Sequence, residues 1–230
     1  MEERTFYVVG SPHFPSNRDY DTMRCTGGPS FLHLKKALLR SIASQHPSLD
    51  IFLEQFCEED DVSQMLVKEF DEYKLTRKED NLEILTTYKH ALFNEDFYND
   101  AEDAELMLTA AALPNVGGIT FKFNETQKSF NSSILERDEE IARNVAVNGG
   151  PFSLIIIGSA HPLLSLSKLP GVHYRVNADR SNRLMRYGLR GNLPLVIKDR
   201  VQEELQRAKV DADSDPLVGS LNVATQLEYA

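Results

Sequence analysis

Residues 153–161 read SLIIIGSAH, and 153–157 is the most apolar stretch of the chain. Four consecutive large aliphatic residues without polar alternation describe a strand covered on both faces, as at the centre of a parallel sheet. Gly158 ends the run, and His161 follows three residues later. Glycine at a strand end lets the backbone turn tightly and leaves room beside a ligand. The same arrangement recurs near the start, where residues 5–9 (TFYVV) lead into Gly10 and then His13. Two G-x-x-H turns after apolar strands place both histidines where open α/β sheets bind ligands, just beyond the carboxyl ends of the strands.

Working outward, Asp50–Leu53 (DIFL) reads as a further strand with Glu54 at its carboxyl end. Before it, Ser30 reads as the cap of a helix carrying Phe31, Leu34, Leu38 and Ile42 at helical spacing. Residues 60–112 are helical and charged throughout, with Met65, Phe70, Tyr73, Leu106 and Leu108 on apolar stripes. Uniform βαβ alternation would place a strand there, so the segment reads as a helical insertion or cap. A strand follows at 119–123. Ser133-Ile-Leu-Glu136 is a capping-box pattern that opens a helix to about Val147. Beyond His161 the pattern predicts a short helix (162–168), a strand (173–176), a basic helical segment (179–189), a strand (194–197) and a helix (199–208). The expected class is α/β: a single domain over 1–230, with a mostly parallel central sheet flanked by helices and a helical cap inserted mid-chain.

The 25 basic and 35 acidic residues give a formal charge of −10. A surface of that sign argues against general nucleic-acid binding and against adhesion to anionic membranes. Cys25 and Cys57 read as free thiols rather than a disulfide framework. The apolar stretch at the N-terminus is too short for a signal-peptide core, and no window is long enough for a membrane span. The expectation is a soluble cytoplasmic protein, with export or delivery into a host cell by a route lacking a cleavable signal as the alternative.

His13, Glu54 and His161 together carry the chemistry. Two imidazoles and a carboxylate can ligate a divalent metal, activate a water or relay protons near neutral pH. Against this stand plainer roles: loop-stabilising histidines, and a solvated acid leading into Glu58, Glu59, Asp60 and Asp61. Arg137 is a cation on an acid-rich helix, able to clamp an anion or to pair with Glu136, Glu140 or Glu54. Asp138 reads as an ordinary acid of a first helical turn. Arg180, Arg183, Arg186 and Arg190 form the chain's one basic concentration, a solvated face or a dock for an acidic protein partner.

FYVVGSPHFPS, DIFLE and ILERDEEIARNVAVNGGPFSLIIIGSAHPLLSL resemble the superfamily containing TraB, Tiki proteins, ChaN-like haem-binding proteins and erythromycin esterases. The likeness covers both ends of the chain, while the acidic middle matches only in being helical. It implies a pocket lined by His13, Glu54, Arg137 and His161 under a helical cap. Ser11 stands where the esterase and ChaN-like branches carry Glu, which draws the comparison toward TraB and Tiki. The activity this implies is hydrolysis of an ester, amide or phosphoester in a small molecule or peptide, with a divalent metal on His13, Glu54 and His161 as one version. The alternatives are a haem- or small-ligand-binding protein without turnover, with Tyr20 and the histidines as axial candidates, and a bacterial toxin or effector using the same pocket.

Overall fold

The stretch 153–157 is the middle of β4 (Phe152–Gly158), and every residue of that strand from Ser153 onward is buried. The computed structural model describes residues 3–11, 28–54, 56–94, 98–125, 133–158, 161–177 and 190–214. β4 lies third in a six-stranded sheet of order β3-β2-β4-β1-β5-β6, formed with β1 (Thr5–Ser11), β2 (Leu49–Leu53), β3 (Ile119–Lys122), β5 (Val172–Asn177) and β6 (Arg190–Gly191). The first five strands are parallel, and only the two-residue β6 runs antiparallel, against β5. The fold is α/β with a mostly parallel central sheet flanked by helices.

Six helices flank it: α1 (Gly28–Ala43), α2 (Asp61–Thr76), α3 (Glu79–Asn94), α4 (Tyr98–Ala111), α5 (Ile134–Asn148) and α6 (Leu195–Ser214). Strand alternation sorts the core into two layers. Tyr7, Val9, Ile51, Leu53, Leu154 and Ile156 face one side, with Leu34, Leu38 and Ile42 of α1, Phe70 of α2, Met107 of α4 and Val201 of α6. Phe6, Val8, Phe52, Ile155 and Ile157 face the other, with Ile141, Ala142 and Val145 of α5. The segment between β2 and β3 is thus three helices that pack into the α1 layer.

Three local expectations change. α1 starts at Gly28, so Ser30 lies inside its first turn instead of capping it. Residues 194–197 are not a strand but enter α6, whose Ile197 and Lys198 amides both donate to the Pro194 carbonyl, at 3.0 Å each. A short apolar run fits either state, and proline at a helix entrance decides for helix. Residues 162–168 do not form a full helix: only a 3-10 turn, Leu166–Lys168, is present, because Leu163 sits at φ 57° in the left-handed region. The expected basic helix over 179–189 lies outside the described residues.

Arg4 fixes how α5 meets the sheet. Its guanidinium donates to the carbonyls of Val145 (2.7 Å), Ala146 (3.0 Å) and Gly149 (2.7 Å) at the helix end, the first of which also accepts from the Gly149 amide at 3.0 Å. A Cβ on Gly149 would lie 2.6 Å from the Val145 oxygen and 2.7 Å from the Arg4 nitrogen, so only glycine fits that approach. With this end clamped, the N-terminus of α5 stands at the carboxyl edge of the sheet.

Candidate functional site

At that edge, four segments deliver charged side chains to one place. Glu54 follows β2, and its own amide continues the ladder by donating to the Ile156 carbonyl at 3.0 Å. Its side chain then lies beside β4, where one carboxylate oxygen, Oε2, accepts from the Gly158 amide. His161 comes from the turn after β4, closed by the His161 amide donating to the Gly158 carbonyl at 3.1 Å. Arg137 and Asp138 come from the start of α5, whose capping box is complete: Ser133 and Glu136 exchange side-chain to backbone hydrogen bonds. Glu125 follows β3, held by an isolated bridge to Cys57.

The side chains form one continuous chain of polar contacts. Arg137 Nε donates to Glu125 Oε2 at 2.9 Å and Arg137 Nη2 to Glu125 Oε1 at 2.8 Å, the two-pronged geometry that suits guanidinium to carboxylate. The same Nη2 reaches Glu54 Oε1 at 3.0 Å. That oxygen also lies 3.0 Å from His161 Nε2, and His161 Nδ1 is 2.6 Å from Asp138 Oδ1. Asp138 Oδ2 accepts from the Leu163 amide at 2.7 Å. Glu54, Glu125, Asp138 and His161 are between 0% and 5% exposed, so none of this is a solvated surface pairing.

Burial disfavours charge, and the pairings reverse that where they are strong enough. For His161, burial pulls the imidazolium toward losing its proton, but the hydrogen bond and charge of Glu54 and the bond to Asp138 outweigh it and raise the pKa. Geometry agrees: a carboxylate only accepts, so filling both contacts requires a proton on each ring nitrogen. Burial raises the Glu125 carboxyl against the opposing pull of Arg137. Arg137 is itself held above its ordinary value because Glu125 and Glu54 together overcome its burial. The network thus sets three carboxyl groups, Glu54, Glu125 and Asp138, against Arg137 and His161.

Of the four residues the sequence singles out, Glu54, Arg137 and His161 meet at one oxygen atom. His13 lies outside the described residues, two positions beyond Ser11, which pairs with Gly158 in the β1–β4 ladder. Glu54 is not the solvated start of the acidic run; Asp60, within that run, caps α2 by accepting from the Ser63 amide at 2.7 Å. Arg137 pairs with Glu54 as expected and with Glu125, which sequence reasoning missed. The strand-end rule that selected Glu54 would have selected Glu125 as well, three residues past β3. Asp138 was read as a helix-end acid, and its role becomes visible only when Leu163 and His161 come to it.

Both ring nitrogens of His161 face carboxylates here, Nδ1 toward Asp138 at 2.6 Å and Nε2 toward Glu54 at 3.0 Å. Among the described residues, no group of three His, Cys, Asp or Glu is placed to hold an ion. Tyr20, named with the histidines as an axial haem candidate, lies outside the described residues. Of the basic series, Arg180, Arg183 and Arg186 lie outside them too, and of Arg190 only the backbone, in β6, is described. Two other histidines have local roles: His46 stacks on Phe152 with ring centroids 3.8 Å apart and bonds the Tyr7 hydroxyl at 2.9 Å, and His173 bonds the Leu169 carbonyl at 2.8 Å. No described helix is long and apolar enough to cross a membrane. No family model, curated protein or solved structure matches the chain.

Proposed function

We propose that the chain is a hydrolase acting on an ester or amide at the carboxyl edge of its sheet, with Glu54 as the organising carboxylate. The observation that carries this reading is Glu54 Oε1, 3.0 Å from both Arg137 Nη2 and His161 Nε2. Such convergence fixes one carboxylate in one orientation, in surroundings dry enough for its charge to count. His13, the other G-x-x-H histidine, is the base that takes a proton from water. Arg137 is a positioning residue here, its fork spent on Glu125 and Glu54.

Three carboxyl groups against two basic side chains disfavour a phosphate dianion and favour a neutral carbonyl centre, which narrows the substrate class. Hydrolysis of a panel of p-nitrophenyl esters, p-nitroanilides and p-nitrophenyl phosphate tests this. The expected result is turnover within the ester or anilide set, none on the phosphate, and a loss of roughly 100-fold or more in His13→Ala and Glu54→Gln. Absence of turnover across the panel, or variants as active as the parent, overturns the reading.

A further inference from the structure

The side chains of the Glu54 network are buried, yet two of the segments that build it carry apolar side chains that are not. α5 buries Asp138, Ile141, Ala142 and Val145, and Ile134 belongs to the same helical stripe, four residues before Asp138. Where α5 lies over the sheet that stripe is covered. One turn earlier, at the carboxyl edge, Ile134 and Leu135 are 39% and 56% exposed. The turn after β4 adds a third such residue. Leu163 is buried in the layer that holds Ile141 and Ala142, and the next residue, Leu164, is 60% exposed.

Both segments are tied to one carboxylate of the network. Asp138 lies one helical turn after Leu135, and its Oδ2 accepts from the Leu163 amide at 2.7 Å while its Oδ1 lies 2.6 Å from His161 Nδ1. The capping box of Ser133 and Glu136 holds the first turn of α5, and the Leu164 carbonyl accepts from the Ser167 hydroxyl at 2.9 Å. Leu163 sits at φ 57°, a conformation that strains any residue but glycine and persists only where the surroundings impose it. The exposed leucines therefore stand on anchored backbone, one turn from Asp138 and one residue from its amide donor.

We propose that Ile134, Leu135 and Leu164 form an apolar rim that takes the acyl chain of a neutral ester or amide, a substrate class that rests on the hydrolase reading. Size favours a small ligand. Three partly exposed side chains offer a few hundred Å² at most, well short of the roughly 800 Å² per partner of a stable protein interface, but enough for one aliphatic chain. Charge favours a neutral one. Glu136 and Glu139 are exposed on the same two turns of α5, so an anionic ligand is repelled there and a carboxylate product is helped to leave.

Two measurements on the full chain separate this proposal from the reading beneath it. The first needs no turnover. 2-Heptanone, a neutral ketone with a five-carbon chain and no leaving group, is titrated into protein with carbon-13 methyl labels on Ile and Leu, with acetone as the short-chain control. Concentration-dependent shifts are expected at the Ile134, Leu135 and Leu164 methyls with 2-heptanone and not with acetone. The second compares p-nitrophenyl hexanoate with p-nitrophenyl acetate. The parent's kcat/KM should favour the hexanoate by about tenfold or more, because four added methylenes partly leave water, and Leu135→Ser combined with Leu164→Ser should bring the ratio close to one. Both positions are exposed, so the double variant should keep the parent's circular dichroism spectrum. No shift at these methyls, equal shifts with acetone, or a chain preference absent from the parent or unchanged in the double variant overturns the proposal and leaves the hydrolase reading standing. If neither ester is hydrolysed, the hydrolase reading has failed, and the methyl titration alone decides whether the rim binds an apolar chain.

Discussion

Replacing Arg137 by Met tests the buried network through stability, without needing a substrate. The substitution keeps the aliphatic volume and removes the cation that bridges a fully buried Glu125 and a nearly buried Glu54. It deletes contacts of 2.8, 2.9 and 3.0 Å and leaves two carboxylates facing each other in a dry setting. Removing one partner of such a group costs about 3–5 kcal/mol, against about 1 kcal/mol or less for an exposed pair. The cost depends on pH in a defined direction. Without Arg137, Glu125 loses the main group that draws its pKa down against burial, leaving only the weaker pull of His161, so it holds a proton in the folded state that the unfolded chain releases. A group with a raised folded pKa contributes stability that is present at low pH and lost as pH rises through that value. One such proton makes the penalty smaller at about pH 5.5 than at pH 7.5 by up to roughly 2.7 kcal/mol, from about 1.4 kcal/mol per pH unit. Adding Glu125→Gln to Arg137→Met should recover about 2 kcal/mol at the higher pH. Urea unfolding followed by circular dichroism at both pH values measures this. A penalty under about 1 kcal/mol, or one independent of pH, refutes the claim that the network is buried and ionised.

Three further outcomes follow from neighbouring groups. Asp138→Asn cannot accept from both His161 Nδ1 and the Leu163 amide, so it should lower the His161 titration midpoint, read by NMR, and cost about 1–3 kcal/mol in urea; an unchanged midpoint would detach Asp138 from the imidazole. Arg4→Ala strips three carbonyls at the end of α5 of a charged donor and should cost about 1–3 kcal/mol at any pH between 5 and 8, measured as a shift in urea midpoint at constant slope. Burial, aided by Asp60, raises Asp100 from its ordinary 3.8 to about 6, which ties roughly 3 kcal/mol of stability to its protonated form. That contribution is present below pH 3.8 and lost as pH rises through 6, so the stability gap between the parent and Asp100→Asn should change by about this amount between pH 4 and 7; a gap constant with pH contradicts it.

Much of this architecture is written in local patterns. SLIII is the central strand because nothing polar interrupts it, DIFL and TFYVV flank it for the same reason, and Ser133 with Glu136 marks where α5 starts. The same rules placed Glu54 and His161 at strand ends, and the structure joins them directly, His161 Nε2 to Glu54 Oε1 at 3.0 Å. Failures came where short-range pattern is degenerate. PLVI is apolar over too few residues to show a period, and proline settled it as a helix. The break at Leu163 depends on a left-handed backbone that no residue type announces there. Glu125 and Asp138 carry no local mark of their place, and what distinguishes them is long-range packing: Arg137 of α5 brought to Glu125, and the Leu163 amide brought to Asp138.

The central claim is that the ionised carboxylate of Glu54 sets the proton state of the groups around it, and His161 reports this most directly. Nitrogen-15 NMR of histidine-labelled protein at about pH 7.5, where an unperturbed imidazole is mostly neutral, reads both ring nitrogens at once. The account predicts that His161 carries protons on Nδ1 and Nε2 at that pH, and that Glu54→Gln moves its midpoint down while leaving the fold intact. A single protonated nitrogen in the parent, or a midpoint unmoved by Glu54→Gln, would contradict it.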